Sequence, residues 1–207
     1  MRRWYEKHLL PHLIHLSCGS APITEERARV VPGAHGRVAE IGIGSGLNLP
    51  HYDPSRVREV IGIEPSPEMR DKADKAARDV PFPVRLLESE GERLPLEDAS
   101  MDTVVVTFTL CTIPDPVRAV REMRRVLRPA GQLLFAEHGQ APDDNVRRWQ
   151  ERLDPIWGVI GGGCHLARPI PRLLEEGGFR VSDLAERYVP GGPKFASYVY
   201  RGAAAPS

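Results

Sequence analysis

Hydrophobic and polar positions sort this chain into two kinds of segment. Short apolar runs bounded by glycine, proline or charge read as strands: Arg37–Gly42, Glu59–Ile63, Val84–Leu87, Thr103–Phe108 and Gly131–Ala136. The run Thr103–Phe108 is rich in β-branched residues, which suit a pleated buried surface. Charged stretches with apolar residues three or four apart read as helices over 66–78, 115–127, about 143–157 and 170–177. In the second of these, Val117, Val120, Met123 and Val126 share one side. Residues 179–187 and 195–200 close the chain as two strands, whose short connection predicts an antiparallel edge pair. Upstream, Trp4, Leu9, Leu13 and Leu16 predict an amphipathic helix over 4–16, kinked near Pro11. A second short helix is expected over Thr24–Val30, and Pro32-Gly33 ends it.

Strand–helix alternation through residue 136 implies a doubly wound α/β fold, a parallel sheet with helices on both faces. A chain of 207 residues suits one domain with an appendage. The expected division is an N-terminal helical lid segment over 1–34, the α/β domain over 35–201 and a flexible tail over 202–207.

Composition narrows the function classes. Hydrophobic residues at 41% and charged residues at 27% are globular values and exclude general disorder. The 28 basic and 28 acidic residues cancel, and no basic tract recommends a nucleic-acid partner. The three cysteines, Cys18, Cys111 and Cys164, are far apart with no CxxC pair, which argues against a disulfide framework and a structural zinc site and points to a reducing, cytoplasmic compartment. No apolar stretch of about 18 residues predicts a transmembrane helix. The start Met1-Arg2-Arg3 resembles a signal peptide, but Glu6, Lys7, His8, Pro11, His12 and His15 spoil the apolar region that such a signal needs. Peripheral membrane contact by the first helix stays open.

The segment Glu40-Ile41-Gly42-Ile43-Gly44-Ser45-Gly46-Leu47-Asn48 follows a predicted strand and is expected to open a helix. Its glycines allow a tight turn and close approach of a ligand to the backbone. A dinucleotide fingerprint reads GxGxxG; this loop reads GxGxG, with Leu47 in place of the third glycine and an acid two positions before the first. Glu64 ends the second strand about 22 residues after Gly42, where a carboxylate can accept from both ribose hydroxyls of an adenosyl group. The plainer alternatives are a tight turn and a helix-terminal acid. Between the third and fourth strands lies Gly91-Glu92-Arg93-Leu94-Pro95, in which Glu92 taken alone is equally a solvated loop acid.

In combination these elements resemble motif I and the following motifs of class I S-adenosylmethionine methyltransferases. Downstream, Ser100-Met101-Asp102, Leu110-Cys111-Thr112-Ile113, Arg124–Gly131, Phe135-Ala136-Glu137-His138, Leu153–Trp157 and Gly163–Leu166 resemble the type 11 methyltransferases. Within that group the chain is most similar to the animal thiol methyltransferases of the methyltransferase-like group and their bacterial relatives. The general resemblance covers roughly 35–140 and the closer one about 88–200. The family's RVLRPGG reads RVLRPAG here, and the hydrophobic N-terminal anchor of the animal members has no counterpart in these residues. Some bacterial relatives resemble phospholipid N-methyltransferases. The resemblance implies strand order 3-2-1-4-5-7-6 with strand 7 antiparallel. It also implies S-adenosyl-L-methionine as cofactor, with 35–201 as the methyltransferase domain. Glu40, Gly42, Gly44, Ser45, Gly46, Asn48, Glu64, Pro65, Glu92, Arg93 and Thr107 are the implied binding residues. Glu92 would accept from the adenine amino group, and Arg93 would offer its backbone N–H.

Methyl transfer from a sulfonium is an in-line displacement that needs positioning and a dry site. A thiol or hydroxyl acceptor also benefits from a base. Ligands of a parallel sheet sit at the carboxyl ends of its strands, which selects His138 as the candidate acid–base group. The alternative for His138 is a structural histidine bonded to a carbonyl. Tyr5, Cys111, Glu137 and His165 are expected around the acceptor. Cys164-His165 follows Gly161-Gly162-Gly163, but adjacent residues seldom aim at one reacting atom, so no covalent step is expected. His8 and His12 have helical spacing for a shared ligand but no acid or cysteine in the pattern, so no metal is expected. The functional expectation is methylation of a small molecule, a thiol slightly favoured. The alternatives are a phospholipid or amine N-methyltransferase and, from another class, a catalytically silent cofactor-binding regulator. Oligomeric state is not legible in the sequence.

Overall fold

The computed structural model describes residues 19–207. Seven strands form one sheet: β1 (Gly36–Ile41), β2 (Val57–Ile63), β3 (Val84–Leu87), β4 (Met101–Thr107), β5 (Leu127–His138), β6 (Phe179–Tyr188) and β7 (Tyr198–Pro206). Their order is β3-β2-β1-β4-β5-β7-β6. The first five are parallel, and β7 runs antiparallel to both β5 and β6. This is the expected doubly wound, Rossmann-like topology.

Helices α1 (Ala21–Val30), α2 (Pro67–Ala77), α3 (Pro116–Val126), α4 (Asp144–Ile160) and α5 (Ile170–Glu176) complete the described fold. The side-chain period of two splits each central strand between two cores. Ala39, Ile41, Val104, Val106, Leu133 and Phe135 pack on one face against Val120 and Met123 of α3 and Leu174 of α5. Val38, Val60, Val105 and Leu134 pack on the other against Val30 of α1 and Ala73 of α2. Local signals set the helix starts: Ser66 Oγ accepts from the Met69 N–H at 3.3 Å, and an Asp115 carboxylate oxygen accepts from Arg118 N–H at 3.0 Å. A proline follows each cap, where its missing N–H costs nothing.

Three expectations are corrected. The glycine loop does not open an α-helix; turns and one 3-10 turn at Leu49–His51 connect β1 to β2. Positive φ at Gly42, Gly44 and Gly46, followed by Pro50 and Pro54, works against helix propagation. The last strand is not 195–200 but Tyr198–Pro206, with a 3-10 turn at Lys194–Ala196 before it. The tail expected to fray, 202–207, therefore lies largely in the sheet. Its Gly-Ala-Ala-Ala run has weak strand propensity, but β7 sits between β5 and β6 and is paired on both edges.

The predicted helix over 4–16, with Tyr5, His8, His12 and His15, lies outside the described residues. Among the described residues, no helix is long and apolar enough to cross a membrane.

Candidate cofactor and acceptor site

A cleft of about 370 Å³ opens at the carboxyl ends of β1, β2 and β4. Gly42, Gly44, Ser45, Glu64, Pro65, Glu92 and Thr107 line it, joined by Arg27 and Phe108. The family resemblance had implied the first seven as cofactor-binding residues. Glu40, Gly46, Asn48, Arg93, Cys111, Glu137, His138 and His165 lie outside this lining.

Gly42 and Gly44 give the loop its shape, with φ of 68° and 57°. A Cβ on Gly42 would stand 2.3 Å from Thr109 Cγ2, whereas at Gly44 the nearest atom is Met69 Cε at 3.5 Å. The loop thus presses against the end of β4 at Gly42 and leaves room at Gly44. Glu64 fastens it: Oε2 accepts the Gly44 N–H at 3.1 Å and Oε1 accepts the Ser66 N–H at 2.9 Å. Two of the roughly four lone-pair positions of a carboxylate are then left for ribose hydroxyls. Burial raises the Glu64 pKa, against the lowering by the Ser66 and Gly44 amides and by Arg70.

Glu92 is half-buried, and its Oε1 accepts the Asp115 N–H at 3.2 Å. The Arg93 N–H, expected to face the adenine, donates to Glu90 O at 3.3 Å. Its side chain is exposed and borders a neighbouring groove with Leu94 and Glu122.

Behind the cleft wall lies a buried polar network. Glu40 accepts from Tyr52 O–H at 2.7 Å and from Asn48 Nδ2 at 3.0 Å. Asn48 Nδ2 also donates to Thr107 Oγ1 at 2.9 Å, and Asn48 Oδ1 accepts from Arg27 at 2.9 Å. Glu40 and Asn48 thereby position the loop from behind. Burial drives the Glu40 pKa up to about 7, against the lowering by Tyr52, Arg27 and Asn48. Arg27 was not anticipated as a site residue. It also bonds Thr107 and stacks over the Phe108 ring, 5.1 Å from its centroid. Its one sequence signal is the helical i, i+3 relation to buried Val30. Phe108 itself has φ 53°, a left-handed conformation costly for a bulky side chain and common at functional sites.

At the ends of β4 and β5 a second group of side chains meets. Glu137 is fully buried, and its Oε1 accepts the N–H groups of Thr109 at 2.8 Å and Leu110 at 3.0 Å. It shapes the turn that carries Cys111. Burial raises its pKa to about 7, although both amides lower it. His138 Nε2 lies 2.9 Å from Cys164 Sγ. Cys111, His138 and Cys164 present ligand-type atoms all within 4.8 Å of one another. Burial pushes the His138 pKa down, but the hydrogen bond and charge of Cys164 outweigh it and the net direction is up. The Cys164 pKa is lowered by its hydrogen bond to Cys111, and by His138, against burial. His165 is tied away from this group: Nδ1 is 2.7 Å from Asp154 Oδ2, and its N–H donates to Cys111 O at 2.8 Å.

The fold and the glycine–carboxylate cleft define a Rossmann-like α/β protein with a nucleoside-type ligand site at its strand ends. Residues 39–135 match the family model described as a methyltransferase domain. The human thiol S-methyltransferase TMT1B is 35% identical over 173 residues, covering 78% of this chain and 70% of that protein. A phosphatidylethanolamine N-methyltransferase of Cereibacter sphaeroides is 38% identical over 105 residues, covering 50% and 51%. Among solved structures, a SAM-dependent methyltransferase from Thermotoga maritima aligns with a TM-score of 0.65 at 24% identity, covering 97% of each chain. The matched segment spans only 58% of rat TMT1B. The chain belongs to the class I S-adenosylmethionine-dependent methyltransferases and is related to the thiol S-methyltransferases TMT1A and TMT1B. S-adenosyl-L-methionine is its cofactor. The cleft fits that group: the glycine loop leaves open backbone at Gly44, and Glu64 keeps acceptor capacity beside it.

Proposed function

We propose that the enzyme methylates the sulfur of a small thiol. The carrying observation is the meeting of two thiols and an imidazole at the ends of β4 and β5, beside the cofactor cleft. Such polarisable groups suit handling a thiol acceptor. The likeness to the thiol S-methyltransferases supports the same reading. We assign Glu64 to the ribose hydroxyls, Glu92 to the adenine edge, and Gly42, Gly44, Ser45, Pro65 and Thr107 to the cofactor's walls. Glu40, Gly46 and Asn48 hold the loop in shape. Glu137 fixes the acceptor-side turn, and His138 with Cys164 prepares the acceptor sulfur. Tyr5, outside the described residues, is assigned to the acceptor side. Bound S-adenosylmethionine supplies an electrophilic methyl group, which the acceptor displaces in line. A reducing, cytoplasmic compartment suits both the acceptor and the protein's own thiols.

A second reading, N-methylation of a phospholipid headgroup, has one observation in its favour. Trp149, Ile156 and Val159 of α4 are 56%, 62% and 67% exposed, an apolar surface able to touch a bilayer. Incubation with S-adenosylmethionine and, separately, small thiols, small amines and phosphatidylethanolamine vesicles separates the readings. Thioether and S-adenosylhomocysteine formed together with thiols are the expected products. Methylated headgroup alone would favour the second reading, and no S-adenosylhomocysteine with any acceptor would point to a silent binder.

A further inference from the structure

We infer that Cys111, His138 and Cys164 form a three-ligand site for a thiophilic divalent cation, zinc above all, with its fourth position left for the acceptor thiol. The inference deepens the thiol reading and rests on it only for the occupant of that fourth position.

The geometry comes first. In a tetrahedral site with Zn–S about 2.3 Å and Zn–N about 2.0 Å, ligand atoms stand roughly 3.5–3.8 Å apart. The two Sγ atoms and the imidazole nitrogen already lie within 4.8 Å of one another. His138 Nε2 and Cys164 Sγ, at 2.9 Å, would part by roughly 0.6 Å to admit the ion. A Cys2His set is the donor chemistry of an open zinc site, in which three protein ligands leave one position for substrate.

The loops that carry the ligands are held in place, as metal sites require. Arg168 bonds the carbonyl oxygens of Leu110 and Ile113, which flank Cys111. The Cys111 carbonyl accepts the His165 N–H at 2.8 Å, joining the first cysteine's turn to the second's. Asp154 holds the residues after Cys164, accepting the Leu166 N–H at 2.5 Å and bonding His165. Glu137, next to His138, fixes the two residues before Cys111. The set lies beside the cofactor cleft: Thr112, next to Cys111, and Gly162, two residues before Cys164, both line that cleft. Wide sequence spacing hid the set, because one ligand ends β5 and the other two come from separate connections.

An ion there supplies what a neutral thiol lacks. Coordination replaces the S–H bond of the acceptor with a sulfur–metal bond and releases the proton to solvent. The thiolate then attacks the sulfonium methyl carbon. The new S–CH3 bond forms as the old methyl–sulfur bond breaks, S-adenosylhomocysteine leaves with the electron pair, and the thioether departs as a weak ligand. The ion does not change oxidation state.

The test is anaerobic titration of the reduced full chain with Co(II), read by absorption, followed by competition with Zn(II). The expected result is about one ion per chain, with intense tetrahedral bands and sulfur-to-cobalt charge transfer that zinc abolishes. Cys111→Ser and Cys164→Ser should lower the charge transfer, and His138→Ala should weaken binding at least tenfold. Replacing His8, His12 and His15 by alanine should change none of this. A small thiol added without S-adenosylmethionine should intensify the charge transfer as a third sulfur joins. Octahedral, weak spectra, or tight binding that survives loss of both cysteines, would overturn the site. An unchanged spectrum on adding thiol would overturn the open position. Circular dichroism of each variant, and zinc competition against a chromophoric chelator in the unaltered chain, guard against misfolding as the cause. Thiol methylation unaffected by complete removal of metal would overturn the inference and leave the thiol reading standing. Metal binding without thiol methylation would do the reverse.

Discussion

The backbone N–H of Gly44 donates to Glu64 Oε2 across 3.1 Å, so the glycine loop and the end of β2 are fastened to each other. The carboxylate thereby has two tasks, fixing the loop and accepting from the ribose. Glu64→Ala should weaken S-adenosylmethionine binding roughly 10- to 100-fold, the value of hydrogen bonds to a charged group. Calorimetry on the variant checks this, and an affinity within about twofold of the parent would remove the ribose assignment.

The two glycines of the loop should fail differently. Gly42→Ala meets both a positive φ and Thr109 at 2.3 Å, so it should lower thermal stability as well as binding. Gly44→Ala has space, with its nearest neighbour at 3.5 Å, and carries only the conformational cost, about 1 kcal/mol. Its methyl would narrow the cleft, so affinity should fall more than stability. Paired melting and binding curves test the contrast; equal losses of stability in both variants would contradict it.

Glu40 makes stability depend on pH. Burial raises its folded pKa to about 7 from an ordinary 4.5, so the folded state holds the proton more tightly than the unfolded chain. The stability this contributes is fully present below about pH 4.5 and is lost as pH rises towards 7. Glu40→Gln cannot ionise and keeps an acceptor for Tyr52. The melting temperature of the variant relative to the parent should therefore climb between pH 4.5 and 7. A constant difference across that range would show that Glu40 is not the group responsible.

The sheet was legible because its strands are written as short apolar runs and its helices as amphipathic stretches. Val84–Leu87 matches β3 to the residue, and the spacing from Gly42 to Glu64 foretold their meeting. What failed depended on tertiary context. Gly202 to Pro206 have weak strand propensity and become a strand through partners on both sides. The loop after Gly42 follows the motif that opens a helix in other nucleotide folds, but Pro50 and positive φ values oppose one. Arg27 was invisible as a site residue because only the folded α1 sets it against Thr107 and Phe108. The meeting of Cys111 with His138 and Cys164 needs two separate connections to converge on the end of β5, which no local spacing records.

The most direct test of the central claim is calorimetric titration of the full chain with S-adenosylmethionine and, separately, with NAD. Micromolar binding of S-adenosylmethionine with no heat from NAD is the expected result, as a GxGxG loop backed by Glu64 requires. Binding of NAD alone, or of neither, would contradict the cofactor assignment and return the loop to a tight turn or another nucleotide's site.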